Sequence, residues 1–245
     1  MTSKFILALV LLLSLRSSTS WAAISAADLT TSGTNVDGTS TATASITPAA
    51  NTLILAAITS EVASGTSNEP TATGNGLTWV VVNTRVQGTF RLTVFRTCGA
   101  APSAGAVTFS FAGQTQASFT WSVVSVSGAS ISGAQCADAV VQSAVNGDII
   151  TTTLTVTLAA FANAANGTFG AFGIDNNVVF TAGSGFALIE QQGCCVSRTA
   201  FEWKDTNDTS VDITWVSNSR SMGVALELAP STIFPDTGQF LSRLQ

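Results

Sequence analysis

The chain repeats itself, and that repetition constrains its fold more than any other feature. Thr41-Ala42-Thr43-Ala44-Ser45-Ile46, followed by Asn51-Thr52-Leu53-Ile54-Leu55, returns as Thr153-Leu154-Thr155-Val156-Thr157-Leu158, followed by Gly167-Thr168-Phe169-Gly170-Ala171. Gly74-Asn75-Gly76-Leu77 returns as Gly183-Ser184-Gly185-Phe186. Val107-Thr108-Phe109-Ser110-Phe111 returns as Val211-Asp212-Ile213-Thr214-Trp215. The separation between partners is 112 and then 116 residues for the first two segments and falls to 109 and 104 for the later ones, as a duplicated strand series with altered loop lengths would give. Such a repeat speaks to architecture and says little about chemistry.

The repeated segments read as strands. Val107, Phe109 and Phe111 alternate with Thr108 and Ser110, and Leu154, Val156 and Leu158 alternate with threonines, the period of a strand with one wet face. Met222, Val224, Leu226 and Leu228 share one face, with Gly223, Ala225 and Glu227 opposite. Leu53 to Ile58 is apolar on both faces, as a strand covered twice must be. Phe119, Trp121 and Val123 share a face, while Val124 and Val126 take the other phase, which predicts a bulge at Val123-Val124. Turn signals recur between these runs, the mark of a sandwich or barrel. Helical periodicity is nearly absent, with a turn or two at most over 159–165.

These patterns predict an all-β fold: a two-sheet β-sandwich of jelly-roll or concanavalin-like type, with about 12–14 strands. The pseudo-repeats cover roughly 39–128 and 151–229, each giving half of a single domain spanning 23–230. Gly76-Leu77-Thr78-Trp79, Arg91-Leu92-Thr93-Val94-Phe95-Arg96 and the run from Trp121 to Gly128 resemble uncharacterised secreted jelly-roll modules of bacterial and phage surface proteins. The likeness covers roughly Ser40 to Ala229. It implies fold and location and carries no catalytic motif.

Residues 1–22 read as an export signal. Lys4 is the basic start, Phe5 to Leu15 the apolar run, and Ser20-Trp21-Ala22 the small-residue site, with cleavage expected before Ala23. The apolar run is too short to cross a bilayer, which takes about 20 residues. The mature protein is therefore expected to be secreted or at the cell surface, without a membrane span. Residues 231–245 are expected to form a flexible tail. Pro235-Asp236-Thr237-Gly238 within it approaches a sortase signal without its leucine or its apolar span.

Nine basic residues face fourteen acidic ones, for a net charge of −5, and no basic stripe exists for phosphate, so nucleic acid is not an expected partner. Charged residues are only 9% of the chain, so Ser, Thr, Asn and Gly must cover the surface. Such a surface suits self-association or contact with a cell-surface glycan. Four cysteines, Cys98, Cys136, Cys194 and Cys195, imply disulfides in an exported chain. The adjacent pair makes a strained ring, which favours one bridge from each of Cys194 and Cys195 to Cys98 and Cys136.

The chain has no histidine and no tyrosine, so histidine-based catalysis and imidazole metal sites are excluded, and no cofactor or metal is expected. Glu202-Trp203-Lys204-Asp205 is the nearest approach to a glycosidase carboxylate pair, but its acids fall on opposite strand faces. Asp205, Asn207, Asp208 and Asp212 offer oxygens for calcium, although turn support explains them more simply. Trp79, Trp121 and Trp215 alternate with core residues. Glu202 and Lys204 mark a wet or edge strand, leaving Trp203 as the residue to stack on a sugar. Arg91 and Arg96 are expected to be solvated guards of a strand edge. Asn166 and Asn207 head glycosylation sequons, relevant in a eukaryote. The expected function is a non-enzymatic, secreted surface, adhesive or structural protein, with a carbohydrate-binding module as the alternative.

Overall fold

A computed structural model describes residues 20–194 and 196–233. Seventeen strands follow one another in the described residues. The first ten are β1 (Ser20–Trp21), β2 (Ser25–Thr34), β3 (Ser40–Ala42), β4 (Leu53–Glu61), β5 (Thr71–Gly74), β6 (Leu77–Thr78), β7 (Val80–Gln87), β8 (Phe90–Thr97), β9 (Val107–Ser110) and β10 (Ser118–Ser127). After a 3-10 turn at Ala134–Ala139 come β11 (Val140–Thr157), β12 (Gly167–Ile174), β13 (Thr181–Ala182), β14 (Ala187–Cys194), β15 (Ser197–Lys204), β16 (Ser210–Leu228) and β17 (Thr232–Ile233). The fold is all-β, with more strands than expected because several are only two or three residues long.

Duplication is written into the sheet order. The first half forms a sheet β2-β10-β4-β8-β7, and the second forms β11-β16-β12-β15-β14. The two orders are the same once β2 is matched with β11, β10 with β16, β4 with β12, β8 with β15 and β7 with β14. Each half adds an outer layer. In the first it is β3-β9-β5-β6. In the second it is the C-terminal part of β11, the N-terminal part of β16, and β13. The matched series therefore begins with β2 and β11, ahead of the segments that resemble each other in sequence.

The register also refines the sequence match. Thr41 stands opposite Phe109, and Leu154 stands opposite Ile213, so Thr41 rather than Ala42 is the counterpart of Leu154. A shift of one residue would have turned Leu154 out to water.

Three cores separate four layers. The central one lies between the two large sheets and joins Leu53, Leu55, Leu92 and Val94 of the first half to Phe169, Phe201, Met222, Val224, Leu226 and Leu228 of the second. The two halves thus share one interior, as a single sandwich does. The outer cores are private: Phe95, Phe109, Phe111, Phe119, Trp79 and Trp121 fill the first, and Phe172, Phe180, Ile213 and Trp215 the second. Both large sheets are consequently covered on both faces, which is why β4 and β12 are apolar without alternation. The register of β10 on β2 shifts between Val123 and Val124, where the change of phase placed a bulge.

Cys98 and Cys136 form a disulfide with Cα atoms 5.8 Å apart. It ties the end of β8 to the turn that leads into the second half. This overturns the pairing expected from sequence, in which each of them joined Cys194 or Cys195. The 3-10 turn brings Cys136 beside β8, where Arg96 Nε also donates to the Gln135 carbonyl, a closure that no local pattern announces. Cys194 is also disulfide-bonded, and Cys195 lies outside the described residues.

Residues 1–19 of the expected export signal and 234–245 of the expected tail also lie outside them. Ser20–Trp21 pairs with Thr232–Ile233. No helix among the described residues is long and apolar enough to cross a membrane.

Candidate functional site

The residues singled out for chemistry gather where β15 turns into β16. Alternation sends Phe201 and Trp203 to the central core, and Glu202 and Lys204 to the outer layer of the second half. Trp203 is half-buried, with its ring centroid 6.2 Å from that of Phe169. It works as a wall of the shared core.

Glu202 departs from the expectation of a wet or edge strand. β15 lies between β12 and β14, and Glu202 is 0% exposed. Its Oε2 accepts the Gly183 N–H at 3.1 Å, while its Oε1 has no hydrogen-bond partner among the described residues. Burial, with a smaller push from the charge of Asp212, raises its pKa to about 8. The carboxyl is therefore neutral at pH 7. A raised pKa beside a second acid is what a catalytic acid requires, but a sealed side chain cannot reach a substrate.

The turn that follows is held by its own groups. Lys204 Nζ bonds Asp208 Oδ2 at 2.8 Å and sits 5.4 Å from the Phe186 ring centroid. Asp208 also accepts the Ser210 N–H at 3.0 Å. Partial burial pushes the Asp208 pKa up, but the bonds from Lys204 and Ser210 outweigh it and hold it below the ordinary value. Asp205 and Asn207 are exposed beside this pair. Among the described residues no three acidic, histidine or cysteine side chains converge on a metal position. A shallow cleft of about 390 Å³ runs along the turn, lined by Ala160, Phe161, Asn207, Asp208 and Thr209.

Asn207 stands in the open, whereas Asn166 is 3% exposed and its Nδ2 donates to Glu227. Gln142 Nε2 donates to the other carboxylate oxygen of Glu227 at 2.5 Å. A glycan on Asn166 would have to break the buried Asn166–Glu227 contact. Arg91 differs from its expected role as a solvated guard: it donates to the Ser67 carbonyl at 2.7 Å and to Thr84 Oγ1 at 2.9 Å.

Because the molecule contains two copies of its scaffold, each copy serves as a control for the other. Glu202 lies opposite Gly170, and its counterpart Thr97 lies opposite Ile54. Thr97 satisfies itself by donating to the Thr78 carbonyl at 2.8 Å. The scaffold therefore needs only a small hydroxyl there. Gly170 opposite Glu202 is hemmed in on several sides: a Cβ there would come within 2.5 Å of Phe172, 2.7 Å of Val211 and 3.2 Å of Glu202 Cγ. Likewise Gln142 and Glu227 replace Ser25 and Ser127, whose hydroxyls meet at 2.7 Å. The acids of the second half are thus additions to the scaffold. Placing them needs the strand pairing, because the segments that resemble each other in sequence include neither β8 nor β15.

No family model, no curated protein and no solved structure matches the chain.

Proposed function

We propose that the chain is an exported, non-enzymatic β-sandwich acting as a surface, adhesive or extracellular structural component. The observation that carries this reading is the Cys98–Cys136 bridge at the joint between the halves, because such cross-links persist where thiols are oxidised. The sealing of Glu202, the one acid among the described residues with a strongly raised pKa, supports a role without catalysis. Kinship with secreted jelly-roll modules belongs to the same reading. Fractionation of the producing cell, with non-reducing gels, light scattering and negative-stain microscopy of the mature protein, tests it. A protein retained in the cytosol with free thiols, or a monomer that associates with no surface or partner, counts against it.

A second reading, a carbohydrate-binding module, draws on the half-buried ring of Trp203 and the cleft beside Phe161 and Asn207. A glycan array with wild type and Trp203→Ala decides it, and silence from both proteins eliminates it.

A further inference from the structure

The outward faces of the two outer layers carry hydroxyls in register. In the first half, Ser40, Ser110 and Thr71 form one row across three strands, and Ala42, Thr108, Thr73 and Thr78 form the next across four. In the second half, Thr153, Thr214 and Thr181 form the matching row. Ser40 corresponds to Thr153, Ser110 to Thr214 and Thr71 to Thr181, so this row keeps a hydroxyl at every position in both copies. The residues underneath are free to change, from Thr41 to Leu154 and from Phe109 to Ile213.

None of these hydroxyls hydrogen-bonds to another group among the described residues; those on the flanking strands and Thr214 are exposed, and Thr108 and Ser110 on the central strand are half-buried. Neighbouring strands lie about 4.8 Å apart and alternate residues along a strand about 6.7 Å apart, so the side chains stand on a regular grid. The first-half grid carries no charge, whereas Asp212 interrupts the second next to Thr155. The large rings below, Phe109, Trp79, Phe180 and Trp215, are buried, so this face offers no platform for stacking on a sugar ring.

We infer that the first-half face, with the second as a weaker copy, binds the surface of ice. Threonine presents a methyl and a hydroxyl together, and the grid approaches the oxygen spacing on the prism face of hexagonal ice. An uncharged array can take up an ordered water layer, which a charged side chain would hold in a liquid-like shell. The inference gives the proposed surface component a partner, but it is read on purified protein and can fail independently of where the protein is located.

The test measures ice growth, by thermal hysteresis and recrystallisation inhibition, on the disulfide-intact mature protein. Wild type should shape and arrest ice crystals at micromolar concentration. Thr73→Lys should lose most of this activity, Thr214→Lys a smaller part, and the double variant all of it, each with an unchanged melting temperature. Ser64→Lys, on an exposed bend that is part of neither grid, should behave as wild type, and Thr73→Val, which removes the hydroxyl with little change in shape, should lose part of the activity. Wild type without effect on ice overturns the inference. So does a double variant that keeps full activity, adsorption to cellulose or chitin in place of ice, or a dimer that covers Thr73.

Discussion

Glu202 and Thr97 occupy the same place in the two halves of one molecule, and both are fully buried. One is a satisfied hydroxyl. The other is a carboxyl with an oxygen left without a partner. Retaining such a group is costly: a shift from 4.5 to about 8 corresponds to roughly 5 kcal/mol if the side chain must ionise in place.

This cost fixes a pH dependence. Because the folded-state pKa lies above the unfolded one, the folded protein holds a proton that the unfolded chain releases between pH 4.5 and about 8. Stability is therefore full below pH 4.5 and falls as pH rises through 8. Burial raises Asp28, Glu61 and Asp175 as well, which adds loss of the same sign. Urea unfolding at pH 5 and pH 9 should show Glu202→Gln close to wild type at the lower pH and several kcal/mol more stable at the higher. Equal slopes for the two proteins would refute the assignment.

The shared core predicts cooperative unfolding. Phe169→Ala should cost about 3–5 kcal/mol and lower a single transition, since its ring is fully buried between the two sheets. Expressed alone, residues 23–128 would expose Leu53, Leu55 and Leu92 to water and should aggregate. A soluble, cooperatively folding half would show that each copy is self-sufficient.

The disulfide should stabilise the joint. Cys98→Ser with Cys136→Ser should lose about 2–4 kcal/mol by closing no loop in the unfolded chain. Peptide mapping under non-reducing conditions should recover the two cysteines in one cross-linked fragment.

The Glu227 trio should be costly to break and tolerable to replace whole. Glu227→Ala leaves the buried Asn166 amide without its acceptor, while Gln142 keeps its bonds to Ala159, and should cost about 1–3 kcal/mol. Substituting Ser at both 142 and 227, as at Ser25 and Ser127 in the first half, should recover part of that loss in a thermal melt.

Much of the fold was legible in the residues. Period-two alternation identified β9, the C-terminal end of β11 and the C-terminal part of β16, and the change of phase at Val123-Val124 located a bulge that the register contains. The double-sided apolar run of β4 announced a covered strand. Less of the candidate site was legible. Trp203 reads as a surface ring because charged neighbours flank it, yet those neighbours lie on the other face. Glu202 reads as wet because an acid ordinarily is, and the layer that seals it arrives from β13 and β16.

The amino-acid order alone thus determined which segments are extended, which side of each is greasy, and that one series occurs twice. Those properties depend on neighbours two residues apart along a strand. Tertiary structure alone decided that the two series press their large sheets together, that Cys98 reaches Cys136, and that Glu202 loses its water. Each of these depends on which distant surface closes over a face, and such closure is set by packing of whole layers rather than by any local spacing.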